Sequence, residues 1–159
     1  MSDDRLLVAV FASPVSSVLL RWGAELGYRT VLVEPDPSTD PEVPADLTVR
    51  GFAELDRELA GGNADVVVTD HHREELGSLL RDALARPARW IGVMGNPRHE
   101  GPHVAALTAL GVPAEEIARV HRPIGLDIGS RRPAEIAVST LAGLLADRNG
   151  RSGGFVHGS

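Results

Sequence analysis

Histidines and carboxylates are the side chains of this sequence with the widest chemical range, and two clusters stand out. Asp70-His71-His72 follows a β-branched run, where a strand should end. Neighbouring residues on an extended chain point to opposite sides, so His71 and His72 are not expected to hold one metal together. They serve as loop histidines that cap or face solvent, or one of them touches a ligand. His99-Glu100-Gly101-Pro102-His103 fits the letters of H-E-x-x-H. A zinc protease needs both histidines on one face of a regular helix. Gly101-Pro102 is a poor helix interior and a good helix start, so the match reads as chance. His121 reads as a packed or surface residue. The sequence has no G-x-S-x-G elbow and no Ser-His-Asp set that spacing can assemble, so no catalytic residue and no metal site are assigned.

Composition removes further classes. The chain has 159 residues and no cysteine, which excludes disulfides, thiolate metal sites, a cysteine nucleophile and a persulfide carried on this chain. All 16 basic residues are arginine, so neither a lysine Schiff base nor a P-loop lysine exists. A net charge of −6 argues against nucleic acid or an anionic membrane as partner. No apolar run is long enough to span a bilayer, and the acidic start Met1-Ser2-Asp3-Asp4 is unlike a signal peptide, so the expected location is the cytoplasm.

The elements that position these residues alternate. Apolar runs at Leu6–Ala12, Thr30–Val33, Asp65–Thr69 and Trp90–Met94 read as strands buried on both faces, with Leu47–Val49 a short further strand. Between them lie helical patterns: one opened by Ser13-Pro14 and closed by Gly27, a short one through Phe52, Leu55 and Leu59, and one through Leu76, Leu79, Leu80 and Ala83. A fourth starts near Pro102, a short fifth covers Pro113–Ala118, and Pro133 opens the last. His121–Ser130 reads as irregular or partly extended. Alternation of this kind predicts one α/β domain, residues 1–148, with a doubly wound, mostly parallel, Rossmann-like sheet of five or six strands and the first strand central. Residues 149–159, rich in Gly, Ser and Arg, read as a flexible tail.

In such sheets ligands bind beyond the C-terminal strand ends. A dinucleotide there needs G-x-G-x-x-G after the first strand, so that pyrophosphate can approach the helix N-terminus. Here the turn is Ala12-Ser13-Pro14-Val15-Ser16-Ser17, with no glycine. Pro14 lacks an N–H, and a Ser13 cap engages another. Glu34 stands where a ribose-binding acid belongs. NAD(P) binding is therefore not expected to be tight. A second anchor for an anion is conceivable where Arg98 meets Asp127, Ser130, Arg131 and Arg132, before the helix at Pro133. In the competing arrangement, Asp127 pairs with one arginine and ties the last helix to the sheet.

The most distinctive stretches are Ile91-Gly92-Val93-Met94-Gly95-Asn96-Pro97-Arg98 and Pro123-Ile124-Gly125-Leu126-Asp127-Ile128-Gly129-Ser130-Arg131-Arg132-Pro133-Ala134-Glu135-Ile136-Ala137. Together they resemble the C-terminal Rossmann-like domain of the xanthine dehydrogenase accessory family, XdhC/CoxI. Glu34-Pro35 and Thr69-Asp70-His71-His72 are similar to further segments of that family, and the resemblance runs from Leu6 to Asp147. It implies an accessory or maturation factor for a molybdenum hydroxylase, binding or helping to deliver the molybdenum cofactor. The implied partners are the apo-hydroxylase and a separate accessory protein, with self-association open. Ser13, Glu34, Thr69, Asp70, His72, Gly95, Arg98, Asp127, Ser130 and Arg131 are the cofactor-binding candidates on this basis. Three features depart from the family pattern: the first turn has no glycine, the small N-terminal domain of longer members is not in this sequence, and Arg132 stands where a threonine usually precedes the helix-starting proline. The alternative is a small Rossmann-type nucleotide-binding regulator or NAD(P)-dependent oxidoreductase-like protein.

Overall fold

The computed structural model describes residues 4–39, 45–95 and 101–156. Within them six parallel strands form one sheet in the order β3-β2-β1-β4-β5-β6, with β1 (Leu6–Val10) inside, between β2 (Arg29–Val33) and β4 (Ala64–Val68). Beyond β2 lies β3 (Leu47–Val49); beyond β4 lie β5 (Trp90–Val93) and β6 (Val120–His121). This is a Rossmann-like α/β domain, as the alternation predicts, and the chain reverses its direction of winding between β1 and β4.

Leu6 to Val10 are all buried, because layers cover both faces of the sheet. One face packs Val8, Val10, Val66 and Val68 against α3 (Leu76–Leu84) and α4 (Pro102–Ala109). The other packs Leu7, Ala9, Leu32 and Val67 against α1 (Pro14–Glu25) and α6 (Pro133–Arg148). Short helices α2 (Asp56–Leu59), entered through a 3-10 turn, and α5 (Ala114–Ile117) complete the connections. Gly23 lets α1 settle on the sheet: a β-carbon there would meet Leu7 Cδ2 at 2.5 Å.

Differences from the sequence expectations lie at element ends. β1 stops at Val10 rather than Ala12, because Phe11 turns to φ 77° and leaves the extended conformation. His121 pairs with Gly92 in a two-residue strand instead of belonging to the irregular stretch. After α6 the backbone turns at Gly150; Arg151 N–H donates to the Ala146 carbonyl, and Gly153 lies over Leu126. Beyond it Phe155 is 94% exposed. No helix among the described residues is long and apolar enough to cross a membrane.

Candidate functional site

The C-terminal edge of the sheet divides into a closed half over β1 and β2 and an open half over β4, β5 and β6. The closed half begins with Phe11. Its positive φ swings Ala12 and Ser13 away from the ladder, where a dinucleotide-binding turn would hold glycines. Ala12 N–H donates to Glu34 Oε1 at 3.0 Å, and Ser13 N–H donates to Ser16 Oγ at 2.7 Å. In return Ser13 Oγ accepts the Ser16 N–H at 3.1 Å, while Ser17 N–H donates to the Ser13 carbonyl at 3.0 Å. With Pro14 lacking a proton, Val15 holds the one amide from Phe11 to Ser17 with no acceptor among the described residues. The serines have turned an anion-binding helix start into a self-capped one.

Glu34, just past β2, is 0% exposed. Its carboxylate accepts four hydrogen bonds: from Ala12 N–H, from Asp36 N–H at 2.9 Å, and from Arg73 at 3.0 and 2.8 Å. Burial pushes its pKa up, but Arg73 and the two amides outweigh that and hold it below the usual glutamate value. Arg73 stands past β4, so the paired groups reach over the end of the intervening β1. There the guanidinium lies 4.3 Å from the centre of the Phe11 ring. The acid expected to face a ribose is thereby engaged inside the protein.

The open half holds a cleft of about 720 Å³. Its floor is Thr69, Met94 and Gly95 at the ends of β4 and β5, one wall is Val15 and Ile136, and its rim is Pro123–Ser130. Glycines bring that rim down onto the fold. Gly125 has φ 89°, and a β-carbon there would meet Ser139 Oγ at 2.7 Å. This close approach lets Leu126 N–H reach the Ser139 carbonyl of α6 at 3.0 Å. A side chain at Gly92 would strike Trp90 and Ile124, and one at Gly95 would strike the Arg122 guanidinium. The distinctive pattern of residues 91–95 and 123–130 is thus a set of packing requirements that builds one cleft.

Among the cofactor-binding candidates, Thr69, Gly95, Asp127 and Ser130 line this cleft. Ser13 and Glu34 lie in the closed half beside it, where Ser13 Oγ donates to Thr69 Oγ1 at 3.3 Å. Asp70 Oδ1 accepts the His72 N–H at 2.8 Å, and this bend leaves His72 exposed. Arg131 is exposed on the segment leading to α6 and does not line the cleft. Arg98 lies outside the described residues, as does His99.

Several expectations need correction. His71 and His72 do not diverge: their ring centres are 4.0 Å apart, because the chain bends at Asp70 instead of continuing as a strand. His71 lines the cleft, and its Nδ1 donates to the Met94 carbonyl at 3.1 Å. Burial, the neighbouring His72 and Arg122 lower its pKa, overcoming the opposite effects of the Met94 carbonyl and Asp70. Sequence reasoning passed over His71 for want of a signal separating it from His72. Asp127 and Arg131 form no ion pair among the described residues; α6 is instead tied at its start by Glu135, whose Oε1 accepts from Arg131 N–H at 3.1 Å and Arg132 N–H at 3.4 Å. Gly101 is the extended residue before α4, which starts at Pro102 as expected; His99 and Glu100 lie outside the described residues. His103 is buried there, and its pKa is lowered by burial and by Arg122.

Fold and site define a Rossmann-type domain that keeps the dinucleotide-binding strand order and has lost the phosphate-binding turn. The chain belongs to the XdhC Rossmann domain family, whose model matches residues 7–144. It is 30% identical over 158 residues to the uncharacterized protein YqeB of Escherichia coli strain K12, an alignment covering 94% of this chain and 28% of YqeB. A crystal structure of a xanthine dehydrogenase from Bacillus halodurans matches with a TM-score of 0.71 at 24% identity, over 94% of this chain and 44% of that one. At that identity the likeness is one of fold. The chain thus spans less than a third of YqeB and less than half of the Bacillus protein.

Proposed function

We propose that this protein is an accessory factor for a molybdenum hydroxylase and that it holds the molybdenum cofactor in the cleft over β4–β6. The observation that carries this is the cleft itself. It is built by residues 91–95 and 123–130, and family membership rests on the same chain. A volume of about 720 Å³ lies within the ~300–1,000 Å³ common for small-ligand sites, so a pterin with its side ring fits in size. Apolar walls of Val15, Met94, Ile124, Ile128 and Ile136 suit the faces of a flat heterocycle. The self-capped first turn, which leaves the Val15 amide alone without an acceptor among the described residues, and the engaged Glu34 disfavour the nucleotide-binding or oxidoreductase alternative. With no cysteine, the chain would hold and hand over a cofactor rather than sulfurate it.

The test is transfer. Purified protein is mixed with cofactor released from a denatured molybdoenzyme, separated from free cofactor by gel filtration, and offered to an apo-hydroxylase. Co-elution of cofactor and a faster gain of hydroxylase activity are expected. Cofactor that elutes free, with activation no faster than in buffer, refutes the reading.

A further inference from the structure

We propose that the cleft receives the 2-amino-4-oxopyrimidine edge of a fused heterocycle, with His71 and Asp127 accepting its adjacent ring N–H and amino protons. The inference rests on the proposed cofactor role of this cleft and adds which edge of the ligand points inward.

The argument is a count of protons. Five polar side chains line the cleft: Thr69, His71, Asp127, Ser130 and Ser139. Thr69 directs its hydroxyl proton at the Val10 and Phe11 carbonyls, at 2.9 and 3.0 Å. Ser139 donates to the Ile136 carbonyl at 3.0 Å. His71 Nδ1 faces the Met94 carbonyl, which can only accept, so the proton of the neutral ring sits on Nδ1 and Nε2 keeps its lone pair. The Asp127 carboxylate offers acceptor oxygens. Four of the five therefore offer the ligand lone pairs, and only Ser130 has a hydroxyl proton to give. No arginine lines the cleft among the described residues, and its one charged side chain is an acid. Among the described residues, the side chains lining the cleft offer a phosphate only the Ser130 hydroxyl proton.

A ligand matched to such a wall is rich in donors along one edge and apolar on its faces. Adjacent ring N–H and exocyclic NH₂ groups on a planar ring system meet both demands, and pterins and guanine share that edge. Adenine does not: its single amino group is flanked by acceptors. A carboxylate paired with two adjacent N–H donors gains a geometry that a single contact lacks.

Calorimetric titration of the whole protein with pterin, lumazine, guanosine and adenosine tests this. Lumazine keeps the fused frame and replaces the 2-amino donor with a carbonyl. Pterin should bind at least tenfold more tightly than lumazine, and guanosine more tightly than adenosine. Asp127→Asn and His71→Phe should each reduce the preference for pterin over lumazine, while Glu115→Gln, exposed on α5, keeps it. Pterin tighter than guanosine assigns the site to a pterin; the reverse order retains the donor edge and points to a guanine nucleotide. Equal binding of pterin and lumazine, or no binding of either, overturns the proposal. Transfer of the intact cofactor, run alongside, separates the two readings: transfer without pterin–lumazine discrimination leaves the accessory role standing and removes the inference.

Discussion

Replacing Arg73 with alanine isolates the energy of closing the β1 half of the crevice. Glu34 is fully buried, and Arg73 supplies two of its four hydrogen bonds. The variant leaves the carboxylate with two amide donors and no counter-charge. Removing one partner of a buried pair costs about 3–5 kcal/mol, because the orphaned charge stays desolvated. For a domain of this size ~1 kcal/mol moves the melting temperature by about 2–4 °C, so a fall of roughly 6–20 °C is expected. The double variant Glu34→Gln, Arg73→Met removes the orphaned charge and leaves one backbone amide short of an acceptor, at about 1–3 kcal/mol, so it should melt above Arg73→Ala.

The pH dependence carries a sign that a packing defect would not reproduce. In the parent, the Glu34 pKa is lowered on folding, so its contribution is full above the unfolded value of about 4.3 and disappears as pH falls through the folded value. In Arg73→Ala the lowering effect of the guanidinium is gone, so the folded pKa rises relative to the parent's. Protonation then relieves the defect, and the stability gap between variant and parent narrows as pH drops from 7 toward 4. Urea denaturation at four or five pH values measures this. A variant within ~1 kcal/mol of the parent at pH 7, or a gap that stays constant with pH, would refute the assignment of Arg73 and Glu34 as a coupled buried pair.

NAD titrated into the parent should show no low-micromolar binding, since every turn amide except that of Val15 is already engaged; a low-micromolar isotherm would sink that argument. Asp65→Ala should lower the free energy of unfolding by about 3–5 kcal/mol, because Arg89, Arg148 and Tyr28 all converge on its buried carboxylate; a loss under ~1 kcal/mol would show the cluster to be replaceable by water. In the parent, the Tyr28 hydroxyl, pushed up to about 12 by burial and then by Asp65, should stay protonated in an absorbance titration through pH 11. Gly125→Ala should weaken cofactor retention and stability together, since φ 89° and Ser139 Oγ at 2.7 Å both oppose a β-carbon; unchanged melting would contradict it. Purified protein alone should transfer no sulfur to a desulfo-cofactor, and transfer without an added sulfurtransferase would refute this.

The parallel, doubly wound sheet with its first strand inside was legible because alternation, buried apolar runs and glycine punctuation all point the same way. Leu6–Val10 and Ala64–Val68 are buried at every position, and apolar runs, broken in the second by Asp65 alone, announce that. What the sequence hid depended on direction. Nothing in Thr69-Asp70-His71-His72 says that the chain bends at Asp70, so period-two alternation assigned the two histidines to opposite sides. Nothing in Glu34 says that its partner stands thirty-nine residues away across β1. A ribose-facing acid and a buried, arginine-paired acid have the same letter at the same strand end.

Arg131 shows why the proposed ligand site is placed in the cleft rather than on the arginine-rich segment. Its sequence neighbourhood suggests a phosphate grip: two arginines beside a helix N-terminus, preceded by Ser130 and Asp127. Glu135 already accepts from the Arg131 and Arg132 amides, so an anion held by those two donors would compete with its carboxylate. The Arg131 side chain itself forms no ion pair among the described residues. Arg131→Ala should therefore melt within ~0.5 kcal/mol of the parent, as exposed substitutions do. Glu135→Ala should lose about 0.5–2 kcal/mol, the usual range for a lost cap, because two amides lose their acceptor. If Arg131→Ala melts several degrees lower while Glu135→Ala does not, the helix is anchored by the arginine, and the phosphate grip and the Asp127 pair both return as explanations. If the expected order holds and Arg131→Ala still weakens cofactor retention, the arginine acts on a ligand phosphate that extends past the cleft rim, with the ring held by the acceptors inside.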